Sequence, residues 1–543
     1  MPFGIYTDFK CPKFHKNKFT PQAHQQFVKD FFVNSPYKGM LLFHKLGSGK
    51  TCSSIFVSDI LLEMKQIQKV FVFTPGSLRQ GWINEYCGVC GKDPELLKKY
   101  TFVTYNYGVG SKLLKENMDN SLIIIDEVHN FINGIKNESK TAMEIYKNIL
   151  RAENSKILAL SGTPIYNNIY EWTILGNMLK PGFFPTDKTQ FLDLFKKSND
   201  GTLTPYRPEA FKNALKGIVS FYKGASELDY PKVIEEPIVK VKMHEFQEAS
   251  YWSYQDSEDT ILRFGFPKLH LKFSNLEKNN KQKLAYTIAV KHILTRKASN
   301  CYYPPNVADK KDLLEPNGWI SRKQFGFHAL EEIYSPKIAA VYKNILDNFN
   351  SKHMVFTFFK EKSGVYLMDS LLKMCGVKTA VFSGDLSDKK REKLLKEYNS
   401  IDNINGQKIK VLFLTDAGVE GISLLETGHV HILESDRREN KIQQAIGRAV
   451  RYKSHSRMKP EDRIVHIWRY WSVSKYPKGT AQQLTFETAS KETDGKEILF
   501  KTVNTIIRDT IDQKLYEQGQ IQMNEITSFL NLLIENSIEN GNT

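Results

Sequence analysis

Gly47, Gly49, Lys50 and Thr51 are the residue types and spacing that hold a phosphate chain, in the stretch LLFHKLGSGKT. Two glycines, with Ser48 between them, let backbone N–H groups come close to phosphate oxygens. Lys50 is then placed to reach the β- and γ-phosphates, and Thr51 to offer its hydroxyl to Mg2+. The full phosphate-loop pattern would have a glycine where His44 stands. A loop with a broken pattern has to be supported from elsewhere in the chain.

That support begins at LIIIDEVHN. A buried strand there would deliver Asp126 and Glu127 to the carboxyl edge of a sheet, where ligands bind in open α/β folds. Asp126 is a candidate Mg2+ ligand. Glu127 is a candidate general base that orients and deprotonates an attacking water. LALSGTP ends a further apolar run in a tight turn with Ser161 and Thr163. Far downstream, QQAIGRAVRY reads as a helix with Gln444, Gly447, Arg448 and Arg451 on one face, and Gly447 suggests close packing there. Two guanidinium groups on that face suit a polyphosphate, as charge-stabilising arginines do in phosphoryl transfer. Gly418 and Gly421, after the run KVLFL, allow backbone approach at another strand end.

These groups need sheets to carry them. MLLF, VFVFT, FVTY, LIIID and KILAL are short apolar runs without alternation, separated by helical patterns such as TCSSIFVSDILLEM. Strands buried on both faces of a parallel sheet read this way. The same texture returns in HMVFTF, TAVFSG, KVLFLT, HVHILE and IVHIWRYW. The fold class is therefore α/β, with two parallel-sheet lobes. The expected division is an ATP-binding lobe at 1–184, a helical basic insertion at 185–334, a second lobe at 335–476 and a helical tail at 477–543.

The chain has 543 residues and 76 Lys+Arg against 60 Asp+Glu, a net charge of +16 that fits a polyanionic partner. From Ile261 to Asn300 there are nine basic residues and one acid, Glu277, which suits either a phosphate-contacting surface or a solvated helix face. Six cysteines in this length suggest no disulfide framework and fit a reducing compartment. Cys87 and Cys90 form a lone C-x-x-C with no second ligand pair in the sequence, so zinc is disfavoured. No apolar run suggests a secretory signal or a membrane span.

Together these motifs resemble superfamily 2 helicases and translocases, whose first motif commonly reads A-x-x-G-x-G-K-T, with His44 at the alanine position. TPGSLRQGWINEY and SGTPIYNNIYEWTILGNML are similar to segments of Swi/Snf-type ATPases. DEVHN, IGRAVRYKSH and FYKGASELDYPKV resemble the viral branch that includes nucleoside triphosphatase I and the early transcription factor small subunit of large cytoplasmic DNA viruses. FTPQAHQQF resembles the family's adenine-contacting segment, with Gln25 as its glutamine. The resemblance implies two RecA-like lobes, ATP and Mg2+ as cofactors, and hydrolysis in a cleft where Arg448 and Arg451 meet the γ-phosphate. It also implies a nucleic-acid partner, with DNA favoured over RNA, and a viral RNA polymerase as a second partner. The setting it implies is the virion or host cytoplasm. Three readings follow: a translocase in viral transcription, a strand-separating helicase, and an ATP-switched transcription factor subunit.

Overall fold

The structure, a computed structural model, describes residues 5–6, 11, 19–45, 47–76, 78–91, 93–104, 117–224, 229–264, 287, 290–302, 335–360, 363–416, 422–489 and 498–543. It divides into two compact units, Met1–Glu227 with Ile521–Thr543, and Leu228–Gln520. Most of the basic stretch between 261 and 300, with Lys278, Lys281 and Lys283, lies outside the described residues, as do Gly418 and Gly421.

The first unit is built on β1 (Ile5–Tyr6), β2 (Gly39–His44), β3 (Lys69–Thr74), β4 (Tyr100–Thr104), β5 (Ser121–Asp126), β6 (Lys156–Ser161) and, after the small hairpin of β7 (Phe195–Lys197) and β8 (Leu203–Pro205), β9 (Val219–Tyr222). The large sheet runs β1-β4-β3-β5-β6-β2-β9. Only β1 is antiparallel to its neighbour. Every residue of β2 and β5 is buried. Side chains alternate between two apolar cores. Leu41, Phe43, Phe71, Phe73, Ile123 and Ile125 enter one, and Met40, Leu42, Val70, Val72, Leu122 and Ile124 the other. Burial on both faces explains why these runs show no polar alternation. Parallel direction also brings the ends of β2, β6, β5 and β3 to one edge, so His44, Ser161, Asp126 and Thr74 share it.

The second unit repeats the plan. Its strands are β10 (Lys232–Glu235), β11 (Val239–Lys242), β12 (Lys352–Phe356), β13 (Thr379–Phe382), β14 (Val411–Leu414), β15 (Thr427–Ile432) and β16 (Ile464–Val473). They form a parallel sheet in the order β10-β16-β15-β12-β14-β13, and β11 also pairs with β16. β17 (Ala481–Ala489) and β18 (Ile498–Ile506) form an antiparallel hairpin that precedes the helix Ile511–Glu535 of the tail. The expected helical tail at 477–543 is therefore helical only from Ile511 onward and begins with this hairpin. No helix among the described residues is long and apolar enough to cross a membrane.

Candidate nucleotide site

Helix α1 (Ala23–Asn34) precedes β2, which ends at His44, and helix α2 (Lys50–Glu63) follows, so residues 45–49 form the turn that a phosphate cradle requires, within which Leu46 is not described. Gly47 and Gly49 have φ of 77° and 71°, a left-handed backbone that favours glycine. At Gly49 a Cβ would also sit 2.8 Å from the Gln25 side-chain nitrogen. Gln25 therefore lies against the loop. Its amide donates to the Gly49 carbonyl at 3.3 Å, and its oxygen accepts from the Gln22 N–H. Beside it, His24 Nε2 bonds the Ser48 carbonyl at 2.9 Å, and its ring stacks on Tyr222 with centroids 3.6 Å apart.

His44 does not block the loop. Its ring is buried, and Nε2 bonds Ser220 Oγ of β9 at 2.9 Å. Ser220 in turn donates to Glu539 near the C-terminus. Burial, with smaller contributions from His24 and Lys50, lowers the His44 pKa to about 3, so the ring stays neutral beside the phosphate loop.

Lys50 Nζ donates to the His44 carbonyl at 2.9 Å. Burial lowers its pKa, against the pull of Glu127 and Asp126. Asp126 closes β5 and is buried, and Oδ1 accepts from the Glu127 N–H at 3.0 Å. Burial first, then the Glu127 charge, raises its pKa to about 7, with Lys50 opposing. A bound cation would reverse that balance, as cations do for carboxylates they touch. Glu127 has φ 49° and ψ 53° and caps the helix Val128–Lys136. A left-handed glutamate is a strained conformation of the kind kept at functional sites.

Two residues that the sequence left without a role join this group. His129 lies 3.4 Å from the Glu127 carboxylate, and the same nitrogen lies 3.1 Å from Ser161 Oγ. Ser161 Oγ also accepts from the Thr163 N–H at 3.0 Å. His129 thus joins the ends of β5 and β6. Its signal was the H of DEVH. Glu85, the last residue of helix α3 (Arg79–Glu85), bonds the Thr51 hydroxyl; burial raises its pKa, while Thr51 and Lys50 hold it down. Its signal was the final E of the Swi/Snf-like segment. Other residues of those segments are structural. Trp82 is buried against Phe102, and buried Glu171 accepts from the backbone of Tyr166 and Asn167 and from Lys136.

In the second unit the helix Glu439–Ala449 carries Gln444, Gly447 and Arg448. Arg451 is not on it, contrary to the expected i, i+3, i+4, i+7 face. The helix stops at Val450 (φ −92°, ψ 80°), and Arg451 turns back to donate to the Ile422 carbonyl at 3.0 Å and to Ser423 Oγ. The expected close packing at Gly447 is not seen among the described residues, where a Cβ there would meet no atom within 4 Å. Gly421 lies outside the described residues.

The cysteines correct another expectation. Cys11 is bonded to Cys87 and Cys52 to Cys90, although the sequence separations of 76 and 38 residues gave no hint of either pair.

Residues 92–301 match the SNF2-related domain, and residues 336–453 match the helicase conserved C-terminal domain. The chain belongs to superfamily 2 of helicases and translocases. As a member it is a nucleic-acid-dependent ATPase. Asp126 and Glu127 fall in the first matched region and Gln444, Arg448 and Arg451 in the second, while Gly47–Thr51 precedes both. This superfamily 2 ATPase is 27% identical over 86% of its length to a protein of Acanthamoeba polyphaga mimivirus, covering 86% of that protein, whose name assigns it to the ATP-dependent RNA helicases. It is 25% identical over 89% of its length to a termination factor NPH-I homolog of African swine fever virus, covering 75% of that protein. Among solved structures, the Pyrococcus furiosus Hef helicase domain aligns over 83% of this chain and 95% of its own, at 15% identity and a TM-score of 0.45.

Proposed function

We infer that this ATPase hydrolyses ATP at the carboxyl edge of its first sheet and uses the energy to move along DNA during viral transcription. One observation carries the chemical part. Lys50, after β2, interacts with Asp126 and Glu127 at the end of β5, one strand away across β6, with Thr51 and Glu85 beside them. The glycine turn and Lys50 would hold the phosphates. Thr51 and Asp126 fit Mg2+, a hydroxyl and a carboxylate being the hard oxygen donors it takes; when bound it neutralises phosphate charge. Glu127 orients the attacking water and takes its proton on the carboxylate, while His129 holds Glu127 to the end of β6. Gln25 reads the adenine side, and Arg448 and Arg451, with Gln444, supply positive charge and hydrogen bonds to the transferring phosphoryl group. Gly421 would allow backbone approach to the nucleotide.

The SNF2-related match supports a motor that tracks a strand without opening the duplex. The termination-factor name of the NPH-I relative supports a role in viral transcription; a viral RNA polymerase as partner and the virion or host cytoplasm as setting belong to the same proposal. The mimivirus relative's name and the β17–β18 hairpin favour a second reading, a strand-separating helicase. Steady-state ATPase rates with single-stranded DNA, duplex DNA and RNA, run beside an unwinding assay on a tailed duplex, separate the two. DNA should stimulate hydrolysis and the tailed duplex should stay closed. Efficient ATP-dependent melting would make the helicase reading the better one.

A further inference from the structure

After the helix Ile511–Glu535 the chain makes a single 3-10 turn, Ile538–Asn540, against β9 of the first unit. Ile538 is buried in the same apolar core as Met40 and Leu42 of β2. Glu539 turns both carboxylate oxygens to β9. One accepts from the Ser220 hydroxyl, and the other accepts from the Phe221 N–H at 2.8 Å. β9 is the last strand of its sheet, so its outer N–H groups have no strand to pair with, and Glu539 takes one of them.

An ionised carboxylate accepts and never donates. Ser220, fully buried, therefore gives its hydrogen to Glu539, and its oxygen is left to accept from His44 Nε2 at 2.9 Å. This order fixes the hydrogen of the neutral His44 ring on Nε2. The other ring nitrogen, Nδ1, is buried and has no hydrogen-bond partner among the described residues. The ring is thus held by one hydrogen bond, to Ser220, and by edge contacts with His24 and Tyr222. His44 is where β2 passes into the phosphate loop, and its carbonyl holds Lys50 Nζ. β9 reaches the loop by two further routes. The Lys45 N–H donates to the Tyr222 carbonyl at 3.1 Å, and the Tyr222 ring stacks on His24, which bonds the Ser48 carbonyl.

We propose that Ser220 and Glu539 are positioning residues for the phosphate loop and act on it through His44. The inference rests on the reading of this loop as the nucleotide site. Neither residue belongs to the loop itself. Glu539 holds Ser220, Ser220 holds the His44 ring, and the ring holds the backbone from which Lys50 and the loop N–H groups would reach phosphate. Asp126 and Glu127 end β5 or follow it, separated from β2 by β6, and lie outside this chain of bonds. The relay therefore governs how tightly the phosphates are held and not how fast water attacks them.

The test measures ATP hydrolysis by the full chain with saturating DNA, and binding of a non-hydrolysable ATP analogue to the same preparations. Ser220→Ala should raise KM for ATP and Kd for the analogue by about five- to tenfold and leave kcat within about twofold, the pattern of lost ground-state binding. Glu539→Gln keeps an accepting oxygen for the Phe221 N–H but turns an amide N–H toward Ser220. It reverses the order of donors along the relay and should give the same split. The double variant should be no worse than either single one, because both break one path. Asn542→Ala is the control. Its amide ties the same segment to the Lys212 and Asn536 carbonyls and makes no bond to Ser220, so KM and Kd should stay at the wild-type values. An equal rise in Asn542→Ala, additive effects in the double variant, or unchanged KM and Kd in Ser220→Ala would overturn the proposal. Lys50→Ala tells this failure from that of the site itself. Analogue binding kept in Lys50→Ala would mean that the loop is not the nucleotide site, whereas binding lost there and unchanged in Ser220→Ala would remove only the role of Ser220 and Glu539.

Discussion

The two parallel sheets share a plan but place their polar groups differently. In the first sheet the strand interiors are apolar on both faces, and polar groups such as His44, Asp126 and Ser161 gather where strands end. In the second, one face is equally apolar, with Met354, Phe356, Leu412, Leu414, Val430 and Ile432. Its other face carries imidazoles inside the sheet. His353, His429 and His466 stand side by side on β12, β15 and β16 in direct register, and His431 lies two residues beyond His429. The rings stack, His353 on His429 at 5.0 Å and His429 on His466 at 4.8 Å. His353 Nδ1 and His431 Nε2 are 3.1 Å apart, His431 Nδ1 bonds the Tyr470 hydroxyl, and Trp468 donates to His429 Nδ1. Polar groups at the strand ends of the first sheet form the edge proposed to hold the nucleotide. Polar groups within a sheet make its stability conditional on their protonation state.

The largest effect that would sharpen this contrast is acid sensitivity. Burial and neighbouring imidazoles lower the pKa of His353 to about 3 and of His429 to about 4, and push His431 well below its usual value. Lys410 adds to the effect at His353, and Glu236 faces the row only through His466. Folded values below the unfolded value of about 6.5 mean that the unfolded chain binds more protons. Stability is therefore full above pH ~6.5 and falls as pH drops toward the folded values. Each such group steepens the fall by at most about 1.4 kcal/mol per pH unit, over the range where it is protonated in the unfolded chain and neutral in the folded one. Hydrogen exchange read peptide by peptide should show β12, β15 and β16 opening at a higher pH than β2 and β5. Simultaneous opening of both sheets would break the comparison.

A smaller effect concerns the edge of the first sheet. Glu85 bonds the Thr51 hydroxyl, so it orients a group assigned to Mg2+. Glu85→Ala should raise the Mg2+ concentration for half-maximal ATP hydrolysis by about tenfold, roughly 1.4 kcal/mol. Glu85→Gln, which keeps an acceptor, should recover part of that loss, and thermal stability should not change in either variant. An unaltered Mg2+ dependence would return Glu85 to an ordinary surface role.

Much of this edge was legible in the chain. Apolar runs ending in GSGKT, DEVH and SGTP announce strands with chemistry at their carboxyl ends, because β2, β5 and β6 are apolar through their interiors and carry their polar residues at the end. The register of His353, His429 and His466 was not legible, since each sits in a separate run and only pairing aligns them. Cys11 and Cys52 were invisible as partners of the C-x-x-C for the same reason. Arg451 was misplaced because AVRYK contains no glycine or proline to stop the helix after Ala449. The β17–β18 hairpin was missed although the segment KETDGKE between its strands carries the turn dipeptide Asp494-Gly495, because the segment is longer than a two-residue turn and reads as charged surface.

The carboxyl edge of the first sheet is proposed to hydrolyse ATP, with Glu127 as the base. The most direct test is Glu127→Gln, assayed for ATP binding and for DNA-stimulated turnover in the same preparation. Lys50, Thr51 and Asp126 remain in this variant, so ATP should bind with nearly unchanged affinity. Turnover should fall by about 10²-fold or more, the range a positioned general base contributes. Hydrolysis at the wild-type rate would contradict the assignment.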